Sequence, residues 1–138
     1  MSERIDRKLN IEATVDNLSR VLGFVDGILE EADCPPKAQM QIDVSVEEIY
    51  VNIASYAYAP GVGDADIRVF VEDGTFSITF IDRGIPYDPL AKEDPDVTLD
   101  ASERQIGGLG IFMTKKMMDD VSYENRDGCN ILTLVKKL

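Results

Sequence analysis

Two Asp-Gly dipeptides, Asp73-Gly74 and Asp127-Gly128, each stand between runs of alternating apolar and polar residues. Asp-Gly tolerates the positive φ angles of a two-residue turn whose twist matches an antiparallel ribbon, which makes it a strong short-range hairpin signal. Residues 66–72 and 75–82 are therefore expected to pair as one hairpin, and residues 121–125 and 130–136 as another. Upstream the period changes. Residues 5–13, IDRKLNIEA, read as extended, and Thr14 is placed to cap a helix carrying Val15, Leu18, Val21, Leu22, Val25, Ile28 and Leu29 at helical spacing. CPPK interrupts that helix, and a second opens near Pro36 with Ala38, Ile42, Val46, Ile49 and Ile53 as its apolar stripe, running to about residue 58. PGVGD ends it. Sheets with one greasy face need helices to cover it, so the expected architecture is a two-layer α/β sandwich: a mixed, mainly antiparallel sheet with helices on one face, in one domain spanning 1–138.

Composition removes whole classes of chemistry. The chain has no histidine, which rules out Ser-His-Asp and Cys-His nucleophile systems, histidine-ligated metals and phosphohistidine relays within it. No GxxxxGK[ST] segment is present to form a P-loop. A net charge of −12 repels phosphate backbones and anionic lipid, so neither nucleic acid nor a membrane is the expected partner. There is no apolar run of about 18 residues to span a bilayer, and the start MSERIDRKLN is too charged for a signal peptide; a cytoplasmic protein is expected. Cys34 and Cys129 lack metal-ligand spacing and read as small buried thiols.

Several polar residues sit where the pattern calls for apolar ones. Glu48 and Asn52 are four apart on the second helix and so project from one face, a turn apart. In the strand 75–82, Phe76, Ile78 and Phe80 share a face, and the period of two puts Asp82 at the end of the same row. An unpaired carboxylate there would cost several kcal/mol, so a protein group, a ligand, or the backbone of the following RGIP turn must satisfy it. Residues 83–106 hold Gly84, Pro86, Pro89 and Pro95 with little periodicity, long for a connector, and end in GGLGIFMTKKMMDD, where glycines run straight into a helical pattern. Free amides at such a helix start attract anions, although glycine-rich helix entries also serve plain loop geometry.

Glu48-x-x-x-Asn52 on a helix, DRGIP at a strand end and GGLGI opening a later helix together resemble the three nucleotide boxes of the GHKL superfamily, whose ATP-binding architecture is the Bergerat fold. The likeness is closest to its stand-alone branch, the RsbW-like serine/threonine protein kinases that act as anti-sigma factors. The resemblance implies ATP and magnesium as cofactors, Glu48 as general base, Asn52 as magnesium ligand and Asp82 as acceptor for the adenine amino group. Gly84 would leave room for the ring, Gly107, Gly108, Leu109 and Gly110 would cradle the phosphates, and residues 87–106 would form a mobile lid. Partners implied are a STAS-type anti-sigma factor antagonist and a sigma factor, with Asn17 and Arg20 on the partner surface; homodimers are typical of the branch. The chain departs from the pattern at Tyr56-Ala57-Tyr58, where His-x-Tyr is usual, and at Cys129-Asn130, where Gly-Thr often opens the last strand. Asn130 could replace that threonine near adenine. Glu47 lies about 100° round the helix from Glu48 and is not expected to share its site. The alternative function is a non-catalytic switch that uses ATP only as a conformational ligand.

Overall fold

The computed structural model describes residues 4–91 and 108–138. The elements are β1 (Ile5–Glu12), a 3₁₀ turn (Val15–Asn17), α1 (Leu18–Glu31), α2 (Pro36–Asn52) continuing into a π-helical turn (Ile53–Ala57), β2 (Asp64–Glu72), β3 (Thr75–Asp82), a 3₁₀ turn (Pro89–Ala91), α3 (Gly108–Met117), β4 (Asp120–Arg126) and β5 (Cys129–Lys137). Both hairpin turns form on the expected residues: Asp73, Gly74, Asp127 and Gly128 all have positive φ, between 52° and 80°. The strands lie in the order β1-β2-β3-β5-β4, and every neighbouring pair is antiparallel. The expected mixture of pairings is thus narrowed to a purely antiparallel sheet among the described residues. The cause is topological. The connection through α3 returns β4 running the same way as β3, but β5 then doubles back between them and pairs antiparallel with both.

Alternation decides what the sheet buries. Ile67, Val69 and Val71 of β2, Phe76, Ile78 and Phe80 of β3, and Leu132 and Leu134 of β5 point to one face and join Val21, Val25, Leu29, Ile42, Val46 and Ile49 from α1 and α2 in a continuous core. Register sorts these side chains into cross-strand rows. Ile67, Phe80, Leu132 and Tyr123 make an apolar row, and the next row along is Ala65, Asp82, Asn130 and Asn125. The carboxylate predicted at the end of the greasy row is there, 6% exposed.

The start of α1 differs from expectation. Val15 is 55% exposed rather than in the core, and Thr14 makes no side-chain cap. Instead the Asn17 amide donates to the Glu12 carbonyl at 2.9 Å, and the regular helix begins at Leu18. A second clamp holds the same joint: Tyr50 is fully buried in α2, its hydroxyl lying 2.7 Å from the Thr14 carbonyl as donor and accepting the Thr14 N–H at 3.1 Å. Local capping chemistry was outcompeted by tertiary hydrogen bonds across the β1–α1 connection. Cys34 and Cys129 are free thiols of intermediate exposure rather than buried ones. No helix among the described residues is long and apolar enough to cross a membrane.

The α1–α2 contact contains one electrostatic conflict. Asp43 of α2 shares a hydrogen bond with Asp26 of α1, which also accepts from Gln39 at 3.3 Å, while Asp43 Oδ1 is buried with no partner among the described residues. Burial, reinforced by the hydrogen bond and charge of Asp26, pushes the Asp43 carboxyl up to about 7. The folded chain therefore holds a proton that the unfolded chain releases near pH 4, so this contribution to stability is complete below about pH 4 and is lost as pH rises toward about 7. Asp43→Asn keeps a neutral donor for Asp26 and removes the charge. Thermal melts should show it raising Tm near pH 8, with little change near pH 4.

Candidate functional site

The helical spacing of Glu48 and Asn52 brings their side chains into direct contact, Asn52 Nδ2 donating to Glu48 Oε1 at 3.1 Å. The side-chain oxygen of Asn52, Oδ1, accepts no hydrogen bond among the described residues, which leaves a hard oxygen donor available. Glu48 then reaches α3. A Cβ built on Gly110 would lie 2.0 Å from Glu48 Oε1, so the Glu48 carboxylate can rest in this place against α3 only because residue 110 is glycine. Gly110 lies in the first turn of α3, whose positive helix end favours a neighbouring carboxylate. Gly108 and Leu109 open that helix as expected; Gly107 and the 92–106 part of the anticipated lid lie outside the described residues.

Past Asn52 the helix widens into the π-turn, a deviation that is frequent at functional sites. It leaves the Ala57 carbonyl to accept the Ile85 N–H at 2.8 Å, which docks the strand-end turn against the helix. Gly84 is essential to this docking, because a Cβ there would fall 2.2 Å from the Ala57 carbonyl oxygen. Its role is to let two stretches of backbone touch. Tyr58 completes the joint, accepting the Arg83 N–H at 2.8 Å and donating to the Asp64 carbonyl at 2.6 Å. Tyr58, which fits the expected His-x-Tyr pattern, ties the turn down, and Tyr56, which stands in the histidine's place and is 66% exposed, lies at the lip of the cavity.

That cavity, about 200 Å³, lies between the π-turn and the end of the sheet, with Ile49, Ile53, Ala57, Phe80, Ile85, Tyr87, Tyr123 and Leu132 as its mainly apolar wall and Asn52, Asp82 and Asn130 as polar contributors. Sites that enclose a whole drug-sized ligand run to roughly 300–1,000 Å³, so this one suits a planar ring with the rest of the molecule outside. Asp82 is already tied on one side: its Oδ1 accepts the Gly84 N–H and the Asn130 amide, both at 2.9 Å. Both of the protein answers foreseen for the buried carboxylate, a turn cap and a side-chain donor, are realised on that single oxygen. Oδ2 has no hydrogen-bond partner among the described residues.

Asn130 spends its amide on the protein. Its Nδ2 also donates to the Ile85 carbonyl at 3.1 Å, while its Oδ1 accepts from the Tyr123 hydroxyl, from Asn125 at 3.2 Å and from the Tyr87 N–H at 3.4 Å. Its geometry is that of a residue positioning Asp82 and the turn. A direct contact to a ligand, the reading open from sequence, would compete with six protein partners.

A second recess, about 460 Å³, runs between α2 and α3 along Val44, Glu47, Glu48, Val51, Gly110, Met113 and Thr114. Glu47 therefore shares a surface with Glu48, contrary to expectation: 100° of rotation separates their Cβ atoms, but long side chains bend back over a groove. Asn17 and Arg20 line neither recess; Asn17 is used in the β1–α1 joint, and Arg20 is exposed on α1. Sequence reasoning also missed the apolar wall of the cavity. Ile49 and Ile53 carried the signal, since they lie on the same helix as Asn52 within a turn of it, but a stripe that lines a cavity and one that packs a core look alike.

The profile of the histidine kinase-like ATPase domain family matches residues 11–136 of the chain. Among curated relatives, the serine/threonine-protein kinase BtrW of Bordetella bronchiseptica is 27% identical over 97% of this chain and 94% of its own length. The serine-protein kinase RsbW of Listeria monocytogenes is 25% identical over 96% of this chain and 86% of its own. Among solved structures, that of the RsbU and RsbW domains of a Mycobacterium tuberculosis protein superposes with a TM-score of 0.66 at 18% identity, covering 96% of this chain and 32% of that one. At that identity the likeness concerns the fold.

The two site glycines should respond differently to alanine. At Gly84 the added methyl meets fixed backbone, and overpacking of this kind costs about 1–3 kcal/mol. At Gly110 it meets the far end of the Glu48 side chain, which can swing away, and the gain in helix propensity of about 1 kcal/mol offsets the clash. Urea denaturation should therefore show a clear fall in midpoint for Gly84→Ala and a near-unchanged midpoint for Gly110→Ala.

Proposed function

The chain belongs to the histidine kinase-like ATPase domain family, and from that premise we propose that it is an ATP- and magnesium-dependent serine/threonine protein kinase of the anti-sigma-factor type. The observation that carries this reading is Asp82, a buried carboxylate held by Asn130 and the Gly84 amide with its second oxygen unclaimed beside a ring-sized apolar cavity. Such an oxygen suits an amino group on a flat heterocycle, and the cavity walls suit its faces. Adenine has both features. The sugar and phosphates would then extend past Asn52 toward Gly108, Leu109 and Gly110, where the opening amides of α3 favour anions. Gly107 would belong to the same cradle.

Magnesium would supply charge neutralisation on the phosphates. One residue present suits it: the side-chain oxygen of Asn52, Oδ1, is a hard donor with no hydrogen bond among the described residues. Magnesium would take its other ligands from water and phosphate. Glu48 would accept the proton of the partner's hydroxyl as that oxygen bonds to the γ-phosphorus and ADP departs. The Asn52 amide orients its carboxylate. The protein substrate we propose is a STAS-type antagonist, and the second partner a sigma factor sequestered in the alternative complex, with Arg20 on the contacting surface. A cytoplasmic, single-domain protein, homodimeric as is typical of that branch, accords with this role.

Purified chain incubated with magnesium-ATP and a STAS-type antagonist should add one phosphate to the antagonist, read by intact mass. Glu48→Gln should keep nucleotide affinity and lower transfer by about 10²–10⁴-fold, the scale of general-base catalysis. Asp82→Asn should weaken ATP binding in calorimetry by about 1.5–3 kcal/mol, the worth of a hydrogen bond to a charged group. Wild-type transfer by the Glu48 variant would remove it as the base, and ATP binding without transfer to any partner would leave a nucleotide-responsive module instead.

A further inference from the structure

Strand register sets Asn130 of β5 directly opposite Asp82 on β3 and Asn125 on β4, so the three side chains leave the sheet on one face. Asn130 is 7% exposed. Its neighbours decide which way round the amide lies. On one side stand acceptors, Asp82 Oδ1 at 2.9 Å and the Ile85 and Gly84 carbonyls at 3.1 and 3.5 Å; on the other stand donors, the Tyr123 hydroxyl, the Asn125 amide and the Tyr87 N–H. The nitrogen must face the first set and the oxygen the second. Two amide hydrogens thus meet three acceptors and two lone pairs meet three donors, so the hydrogen-bonding capacity of Asn130 is spent on the protein.

The consequence falls on Asp82. Because Asn130 and the Gly84 N–H both donate to Oδ1, the carboxylate cannot swivel without breaking two hydrogen bonds, and Oδ2 is left as its open acceptor beside the cavity. An acceptor selects a donor. A purine with an amino group at position 6 supplies one, whereas a 6-oxopurine in the same pose sets a carbonyl oxygen against a fixed carboxylate, and a buried mismatch of that kind goes uncompensated. Asn52, the third polar side chain on the cavity wall, directs its amide to Glu48.

We infer that Asn130 is a positioning residue for base selectivity: without touching the ring, it locks Asp82 so that one immovable acceptor chooses 6-aminopurine over 6-oxopurine nucleotides, and it leaves the neighbouring ring nitrogen, N1, unread. This rests on the nucleotide reading above. The lock also fixes what a neutral side chain at position 82 would do. After Asp82→Asn the new carbonyl oxygen must take the two donors from Asn130 and Gly84, which turns the new NH₂ group toward the base. The polarity of the reader is then reversed, and a 6-oxo group becomes its match.

The test is calorimetric titration of ATP, inosine triphosphate and 1-deaza-ATP, which carries C–H in place of N1, each with magnesium, into wild-type chain, Asp82→Asn, Asn130→Ala and the double variant. Wild type should bind ATP about 10–100-fold tighter than the inosine nucleotide, the scale of a buried polar group left unmatched, and 1-deaza-ATP within about threefold of ATP. Asp82→Asn should favour the inosine nucleotide, and adding Asn130→Ala should shrink that reversal, because the amide at 82 can then turn either way. Asn130→Ala alone should narrow the preference for ATP several-fold, since a carboxylate free to swivel can back away from the 6-oxo group. A merely structural role would lower both affinities alike, so an unchanged ratio in Asn130→Ala would overturn the assignment. A tenfold loss for 1-deaza-ATP in wild type would show that N1 is read, and equal affinity for ATP and the inosine nucleotide would remove the lone acceptor as the selector; neither needs a variant to fold, and both leave the kinase reading intact. Wild type that binds no nucleotide would overturn the nucleotide reading, and this inference with it.

Discussion

One buried carboxylate organises the site end of this molecule. Asp82 continues an apolar row of β3 into the core, where an unpaired charge would not be tolerated. Its Oδ1 is held by the Asn130 amide across the β3–β5 ladder and by the Gly84 N–H of the turn that follows. That turn in turn rests on the π-turn after α2 through the Ile85–Ala57 hydrogen bond, and Asn130 gathers Tyr123, Asn125 and Tyr87 around the same point. Removing the carboxylate would leave two donors, the Gly84 N–H of the turn and the Asn130 amide of β5, without their common acceptor.

The same region holds both positions at which the chain departs from the branch it resembles. Where His-x-Tyr is common after the helical asparagine, Tyr56 takes the histidine's place and stands exposed at the cavity lip, while Tyr58, which fits the pattern, ties the strand-end turn between Arg83 and Asp64. Where Gly-Thr often opens the last strand, Asn130 contributes a longer amide that reaches both Asp82 and the turn carbonyls. The substitution exchanges a short hydroxyl for a side chain with donors and acceptor at once, which suits a bridging task better than a terminal contact.

Much of the fold was legible in the sequence because periodicity and turn chemistry are local. The Asp-Gly turns fixed both hairpins, and the strand and helix limits fell within a few residues of the pattern. Asp82 was legible for the same reason, since a period of two leaves a charged residue in a greasy row no other place to point. What escaped was set by partners distant in sequence. Val15 carried a helical spacing but the β1–α1 joint is tied by Asn17 and Tyr50, so the helix starts three residues later. Glu47 was set apart from the Glu48 site by angle alone, although groove shape depends on where α3 packs. No pattern in α1 or α2 separately announces the Asp26–Asp43 contact, because a carboxyl pair is a property of two helices meeting.

The strand order has a thermodynamic corollary. β2–β3 and β4–β5 are each self-contained ribbons, and the seam between β3 and β5 joins them only after the intervening chain has closed, with Asp82 and Asn130 at its end. The cavity sits across this seam, drawing Phe80 from one ribbon and Leu132 and Tyr123 from the other. Any occupant acts as a rivet, and by mass action a ligand at a hundredfold excess over its Kd adds about 2.7 kcal/mol of resistance to global unfolding. Survival of the chain against heat or protease would then rise and fall with the supply of whatever fills that hollow.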